Sequence, residues 1–158
     1  MQEKLRIGIC DDEKVINGIM ETIIASYGEE KNIVTDITYY ESGIALLNSH
    51  DVPNLDILFL DIDMPELDGV ETAYKLNECK HHCKIVMLTS KVERFKEAFK
   101  IGAFRFVTKP IEEQEVFDAM DDVRARMIGN IILNSKSIFF IIGLLKKEKK
   151  QILKYITR

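Results

Sequence analysis

The chain has 158 residues, 46% of them hydrophobic and 30% charged, which excludes a disordered tail protein, a collagen and a disulfide scaffold. Three cysteines are an odd number and point to free thiols in a reducing compartment, and no apolar run approaches the ~18 residues of a membrane span, so a cytoplasmic location is expected. The net charge of −4 conceals a split: residues 130–158 hold seven basic and one acidic residue and carry +6, leaving −10 on the rest, and an acidic body is a poor nucleic-acid binder.

Strand-like and helix-like segments alternate along the chain. Residues 5–10 form a short apolar run consistent with a buried strand. Val15, Ile16, Ile19, Met20, Ile23 and Ile24 then recur at helical spacing, with Gly28 as the expected stop. Residues 33–40 are β-branched and aromatic and predict a strand. Ser42 is a cap for a short helix through Ile44, Leu46 and Leu47. Residues 55–60 are the continuous apolar run that a parallel strand covered on both faces needs. Asp68 is placed to cap the next helix, with Val70, Ala73, Tyr74 and Leu76 as its inner face. Strand at 85–88, helix at 92–101 ended by Gly102, and strand at 104–107 follow. Pro110 breaks the pattern. Val116, Phe117, Met120 and Val123 make the inner stripe of a last helix reaching about residue 127. Five strands alternating with five helices predict an α/β fold with right-handed crossovers and a parallel sheet covered on both faces.

In such a sheet function lies beyond the carboxyl ends of the strands, near the switch in strand order. Asp11, Asp12 and Glu13 follow the first strand, Asp61 and Asp63 the third, Thr89 and Ser90 the fourth, and Thr108, Lys109 and Pro110 the fifth. Carboxylates crowded on one rim repel and raise each other's pKa. A hard cation such as Mg²⁺ relieves that conflict, because it takes carboxylate oxygens and keeps water positions. Carboxylates, a hard cation, a lysine and a hydroxyl are the parts for handling a phosphoryl group. A carboxylate can itself be the nucleophile, and Asp61, ending the central apolar run, is the best placed.

Four stretches carry a family resemblance: ICDDE at 9–13, LFLDIDMPELDGVE at 58–71, MLTS at 87–90 and GAFRFVTKPI at 102–111. In this order and spacing they resemble the receiver domain of bacterial response regulators. The resemblance covers residue 4 to about residue 127, leaving 128–158 as a basic and apolar extension. It implies a flavodoxin-like doubly wound sheet in strand order 2-1-3-4-5. Asp61 would accept a phosphoryl group from a sensor histidine kinase. Asp11, Asp12, Asp61 and the main-chain carbonyl of Asp63 would hold Mg²⁺. Thr89 would contact the phosphoryl oxygens, Lys109 would pair with them, and Pro110 would follow a cis bond. Phe106 matches the aromatic whose rotamer reports the state, and Asp63 and Lys91 match positions that tune decay of the phosphorylated form. The chain would catalyse its own phosphorylation and dephosphorylation, without turnover of a separate substrate.

LDIDMPELDGVE together with AFKIGAFRFVTKP looks most like receivers joined to a LytTR-type DNA-binding domain. The extension would then be a truncated output segment, and DNA would be a partner only where that domain is completed. Its apolar runs at 131–133 and 138–145 also fit a β-hairpin, an amphipathic helix that folds back or dimerises, or a surface anchor. A stand-alone receiver acting as a phosphate carrier is the simpler alternative. A homodimer through the face of helix four, strand five and helix five is a further expectation. Asp61-x-Asp63 also suits a haloacid-dehalogenase-like phosphatase, although that pair normally ends the first strand. Cys79, His81, His82 and Cys83 have zinc-like spacing but no second half, and read as an exposed turn. Cys10 reads as a small core hydrophobe.

Overall fold

The structure, a computed structural model, describes residues 2–127. The readings made for the extension at 128–158 lie outside the described residues. The chain divides into two compact units, Met1–Val123 and Arg124–Arg158, and the sheet belongs to the first.

The elements run β1 (Lys4–Cys10), α1 (Lys14–Lys31), β2 (Val34–Tyr40), α2 (Gly43–Leu47), β3 (Ile57–Asp61), α3 (Gly69–Glu78), β4 (Lys84–Thr89), α4 (Phe95–Lys100), β5 (Arg105–Thr108) and α5 (Glu113–Met127). Short 3-10 turns at Val52–Asn54 and Val92–Arg94 precede β3 and α4. The sheet order is β2-β1-β3-β4-β5, and every pairing is parallel. This is the doubly wound, flavodoxin-like order expected from the resemblance. The order reverses between β1 and β3, which opens a crevice at their carboxyl ends.

Both sheet faces are buried, so each strand alternates between two cores. Leu5, Ile7, Ile9, Ile57, Phe59, Val86, Leu88 and Val107 pack with Met20, Ile24, Val116, Met120 and Val123 of α1 and α5. Cys10, Leu58, Leu60, Ile85 and Met87 pack with Leu46, Ala73, Leu76 and Ala98 of α2, α3 and α4. This accounts for the unbroken apolar run of β3, all of whose residues are buried. A polar brace fastens α1 to α5: the buried Tyr27 hydroxyl donates to Asp121 at 2.6 Å. Its ring meets Phe117 edge-on at 5.1 Å, and Lys31 approaches Asp121 at 3.7 Å.

Local signals at helix starts hold. Ser42 accepts from the Ala45 amide and Asp68 from the Glu71 amide. Other local expectations are corrected. Helix α1 runs through Gly28 and ends at Asn32, whose φ of 52° places it in the left-handed region. Asparagine tolerates that conformation, so it closes the helix as a glycine would. Tyr74, expected on the inner face of α3, is exposed, and so is Val15 of the apolar series in α1. Helix α4 is shorter than expected, because Val92–Arg94 is a 3-10 turn.

Gly69 opens α3 in close contact with the end of β3. Its amide donates to the Ile62 carbonyl at 2.8 Å, and a Cβ there would lie 2.1 Å from the Asp61 carbonyl oxygen. That obstacle is backbone and has no rotamer to move. Gly69→Ala is therefore expected to lower stability by about 2 kcal/mol or more. Urea unfolding of parent and variant checks this, and an unchanged midpoint would refute the close approach.

An acidic pocket at the switch point

The carboxyl ends of β1, β3 and β5 bring the acidic and basic residues together. Asp61 is the last residue of β3, not the first of its loop, and is 2% exposed. Asp11 follows β1 and is 1% exposed. Asp12 beside it is exposed. One carboxylate oxygen from each of Asp11, Asp12 and Asp61 lies within 4.8 Å of the others.

Lys109 reaches this cluster from the end of β5. Its Nζ lies 2.9 Å from Asp11 Oδ2, 3.3 Å from Asp61 Oδ1 and 3.5 Å from Glu13 Oε1. The Lys109 amide donates to the Thr89 carbonyl at 2.9 Å, and the Lys109–Pro110 bond is cis. Glu115 of α5 braces the approach: its carboxylate accepts from the Thr108 amide at 2.7 Å and from the Thr108 hydroxyl at 3.0 Å. The Glu13 amide donates to Asp11 Oδ1 at 2.8 Å, and the Asp63 amide donates to Asp61 Oδ1 at 3.3 Å.

Burial, and then the negative charge of Asp11, push the Asp61 carboxyl up to about 7, against the pull of Lys109 and the Asp63 amide. Burial also raises Asp11, offset by the Glu13 amide and by Lys109. Burial would lower Lys109, but its bonds and charge contacts with Asp11 and Asp61 outweigh it and raise it. Burial pushes the neighbouring Cys10 thiol up to about 12, so it stays a core hydrophobe.

Around this centre the other expected residues take their places. The buried Thr89 hydroxyl accepts from the Lys91 amide at 2.9 Å. Lys91 Nζ pairs with Asp63 Oδ1 at 3.1 Å. Phe106 is half-buried, with Phe95 and Phe99 of α4 at centroid distances of 4.4 and 4.8 Å. In the cysteine–histidine segment Cys83 Sγ meets His81 Nδ1 at 3.1 Å, but no third candidate ligand among the described residues joins them. Cys83 is buried and Cys79 exposed, and among the described residues the aspartate cluster is the one group of three or more candidate metal ligands. Sequence reasoning missed Glu115 and Arg94. The latter ties Asp63, Asp68 and Glu97 together.

The pocket suits a hard divalent cation. Its donors are all carboxylate oxygens, two buried and one open to solvent, so water positions remain.

A doubly wound domain with an acid-and-lysine pocket at its switch point is the class that fold and site define. The family model for the response regulator receiver domain matches residues 7–121, and the chain belongs to that family. It is 30% identical over 117 residues to the chemotaxis protein CheY of Halobacterium salinarum, covering 73% of this chain and 92% of that protein. It is 29% identical over 146 residues to the sensory transduction protein LytT of Oceanobacillus iheyensis, covering 91% of this chain and 58% of that protein. The response regulatory domain of MrkE from Klebsiella pneumoniae superposes with a TM-score of 0.67 at 25% identity, over 77% of this chain and 97% of that domain. The chain spans about half the length of several curated relatives, 42% for MrkE and 58% for the regulator RprY of Bacteroides fragilis. Receivers are phosphoacceptor switches and not turnover enzymes, so the phosphatase alternative is set aside. No described helix is long and apolar enough to cross a membrane.

The raised Asp61 fixes a sign. A carboxyl whose folded-state pKa lies above its unfolded value favours the folded state most when protonated. That contribution is full below about pH 4 and is lost as pH rises towards about 7. In EDTA, Asp61→Asn is expected to be more stable than the parent at pH 8, by about 2 kcal/mol. The gap should shrink at pH 5. Urea unfolding at both values checks it, and a parent more stable at pH 8 would refute it.

Proposed function

We propose that the chain is the phosphoacceptor unit of a two-component system, with Asp61 taking a phosphoryl group from a sensor histidine kinase. The carrying observation is that Asp61, nearly fully buried at the switch point, shares Lys109 with Asp11. A Mg²⁺ ion would be held by Asp11, Asp12 and Asp61 and by the Asp63 main-chain carbonyl. When bound it neutralises charge on the transferring group.

The chain's own residues supply the rest. An Asp61 carboxylate oxygen attacks phosphorus as the bond to the kinase imidazole nitrogen breaks, and that nitrogen keeps the electron pair. The product is an acyl phosphate. Lys109, already 3.3 Å from Asp61 Oδ1, turns from a counterion of a carboxylate into one of a phosphoryl group. The Thr89 hydroxyl turns its proton from the Lys91 carbonyl, 3.4 Å away, to a phosphoryl oxygen and draws the segment after β4 inward. Phe106 then changes rotamer, and the face of α4, β5 and α5 presents a different shape to its partner, a second copy included. This is a population shift driven by differential contacts to the phosphoryl group. Asp63 and Lys91, paired over the site, tune how fast water removes the group.

The output reading is a LytTR-type transcription regulator. It is favoured by the similarity to LytT, which extends over 91% of the chain and so beyond the receiver match. DNA binding would belong to a completed output domain. The stand-alone receiver alternative rests on the similarity to CheY of Halobacterium salinarum, 92% of whose length the match covers.

Incubation with Mg²⁺ and acetyl phosphate is expected to add one phosphoryl group by intact mass. The adduct should be absent with EDTA and in Asp61→Asn. Steady release of inorganic phosphate over many turnovers with no adduct would overturn the reading.

A further inference from the structure

Beyond the central pocket, a second set of ion pairs crosses its outer lip. Arg94, at the end of the 3-10 turn after β4, sends its guanidinium to the loop after β3. Its Nη2 lies 2.9 Å from Asp68 Oδ2 and 3.0 Å from Glu97 Oε2, and its Nη1 lies 3.8 Å from Asp63 Oδ1. Lys91 adds the 3.1 Å pair to the same Asp63 oxygen. Asp68 is not a loose partner: its other oxygen caps α3 by accepting from the Glu71 amide at 2.9 Å. The guanidinium fork is thus anchored to a helix terminus, a geometry a lysine cannot copy.

The same short segment holds the Thr89 hydroxyl. The Arg94 amide donates to the Lys91 carbonyl at 3.1 Å, closing the turn whose Lys91 amide occupies Thr89 Oγ1 at 2.9 Å. Fixing Arg94 to Asp68 therefore fixes the turn that keeps Thr89 on its own loop. Phe95 directly follows and packs on Phe106.

We propose that Arg94 is a positioning residue that straps the segment after β4 to the N-terminus of α3 and so restrains Thr89 before phosphorylation. The inference rests on the phosphoacceptor reading of Asp61. Release of the strap accompanies the movement of Thr89 to the phosphoryl group. The strap thereby sets how easily the domain responds, without touching the reacting atoms.

The magnitude is modest. Arg94 is 22% and Asp68 34% exposed as side chains, so water weakens the pair. A change of about threefold in rate corresponds to about 0.6 kcal/mol and is the expected size.

The test is a double-mutant cycle on the full chain with Arg94→Gln and Asp68→Asn, phosphorylated by acetyl phosphate with Mg²⁺. Asparagine caps a helix about as well as aspartate, so Asp68→Asn removes the charge and keeps α3. Each single variant is expected to be phosphorylated about threefold faster than the parent, and the double variant no faster than either. Arg94→Lys should fall between. In the parent, raising salt should accelerate phosphorylation relative to the double variant, because screening weakens the strap. A merely structural role would lower the thermal midpoint without this non-additivity or relative salt effect. An Asp61-dependent adduct with unchanged, slower or additive rates overturns the strap alone. No adduct in the parent overturns the phosphoacceptor reading and the strap with it.

Discussion

Two buried carboxylates from different strands share one ammonium group, and most of the molecule serves that arrangement. Unit charges about 4 Å apart attract by about 4 kcal/mol at an effective dielectric of 20. Burying each ion costs several kcal/mol. One lysine therefore balances roughly one carboxylate and leaves the second short. Asp61 carries the shortfall, which is why its carboxyl rises to about 7 while Lys109 stays protonated. Strand order puts β1 beside β3 and brings the carboxylates together. The outer strand β5, braced through Thr108 and Glu115, delivers the lysine from the far side of β4. The unbalanced carboxylate charge favours a cation beside Asp61.

The centre is buried, whereas the flank is built of short, partly exposed elements. The segment between β4 and α4 is a 3-10 turn followed by a helix of 6 residues. So short a helix has little intrinsic stability and depends on what it touches. It touches Phe106 through Phe95 and Phe99, with Phe99 half exposed. A shift of the Thr89 loop therefore has a short path to the aromatic contact and to the outer face.

The parts of this architecture readable from sequence are those written locally. Alternation of period 2 and period 3.6 yields the five strands and helices, and Ser42 and Asp68 mark their helix starts because a cap is a contact across three residues. The pocket residues were legible because each directly follows a strand and because four motifs coincide. What failed was also local in appearance and tertiary in cause. Gly28 suggested a stop, yet α1 continues over it to Asn32 because Ile24 and Tyr27 are held by α5 and the sheet. Val15 and Tyr74 have the spacing of inner faces, but no neighbouring element covers them. Arg94 and Glu115 gave no signal at all. Arg94 reaches Asp68 across 26 positions, and Glu115 looks like any acidic residue in the first turn of a helix.

The two sets of ion pairs differ in what they can resist. Lys109 is 14% exposed and faces carboxylates with almost no solvent contact, so its loss would strand a buried charge, at a cost of several kcal/mol. Arg94, Lys91, Asp63 and Asp68 stand partly in water, where an ion pair contributes a fraction of that. A phosphoryl group on Asp61 adds charge next to both sets. In the proposed reaction it would give Lys109, beside Asp11, a more highly charged partner in place of the Asp61 carboxylate. In the same step the Thr89 hydroxyl would exchange the Lys91 carbonyl, 3.4 Å away, for a charged acceptor, a stronger bond, against ion pairs that stand partly in water. Burial thus separates the two sets: loss of an inner partner strands a buried charge, whereas the outer pairs can part at little cost.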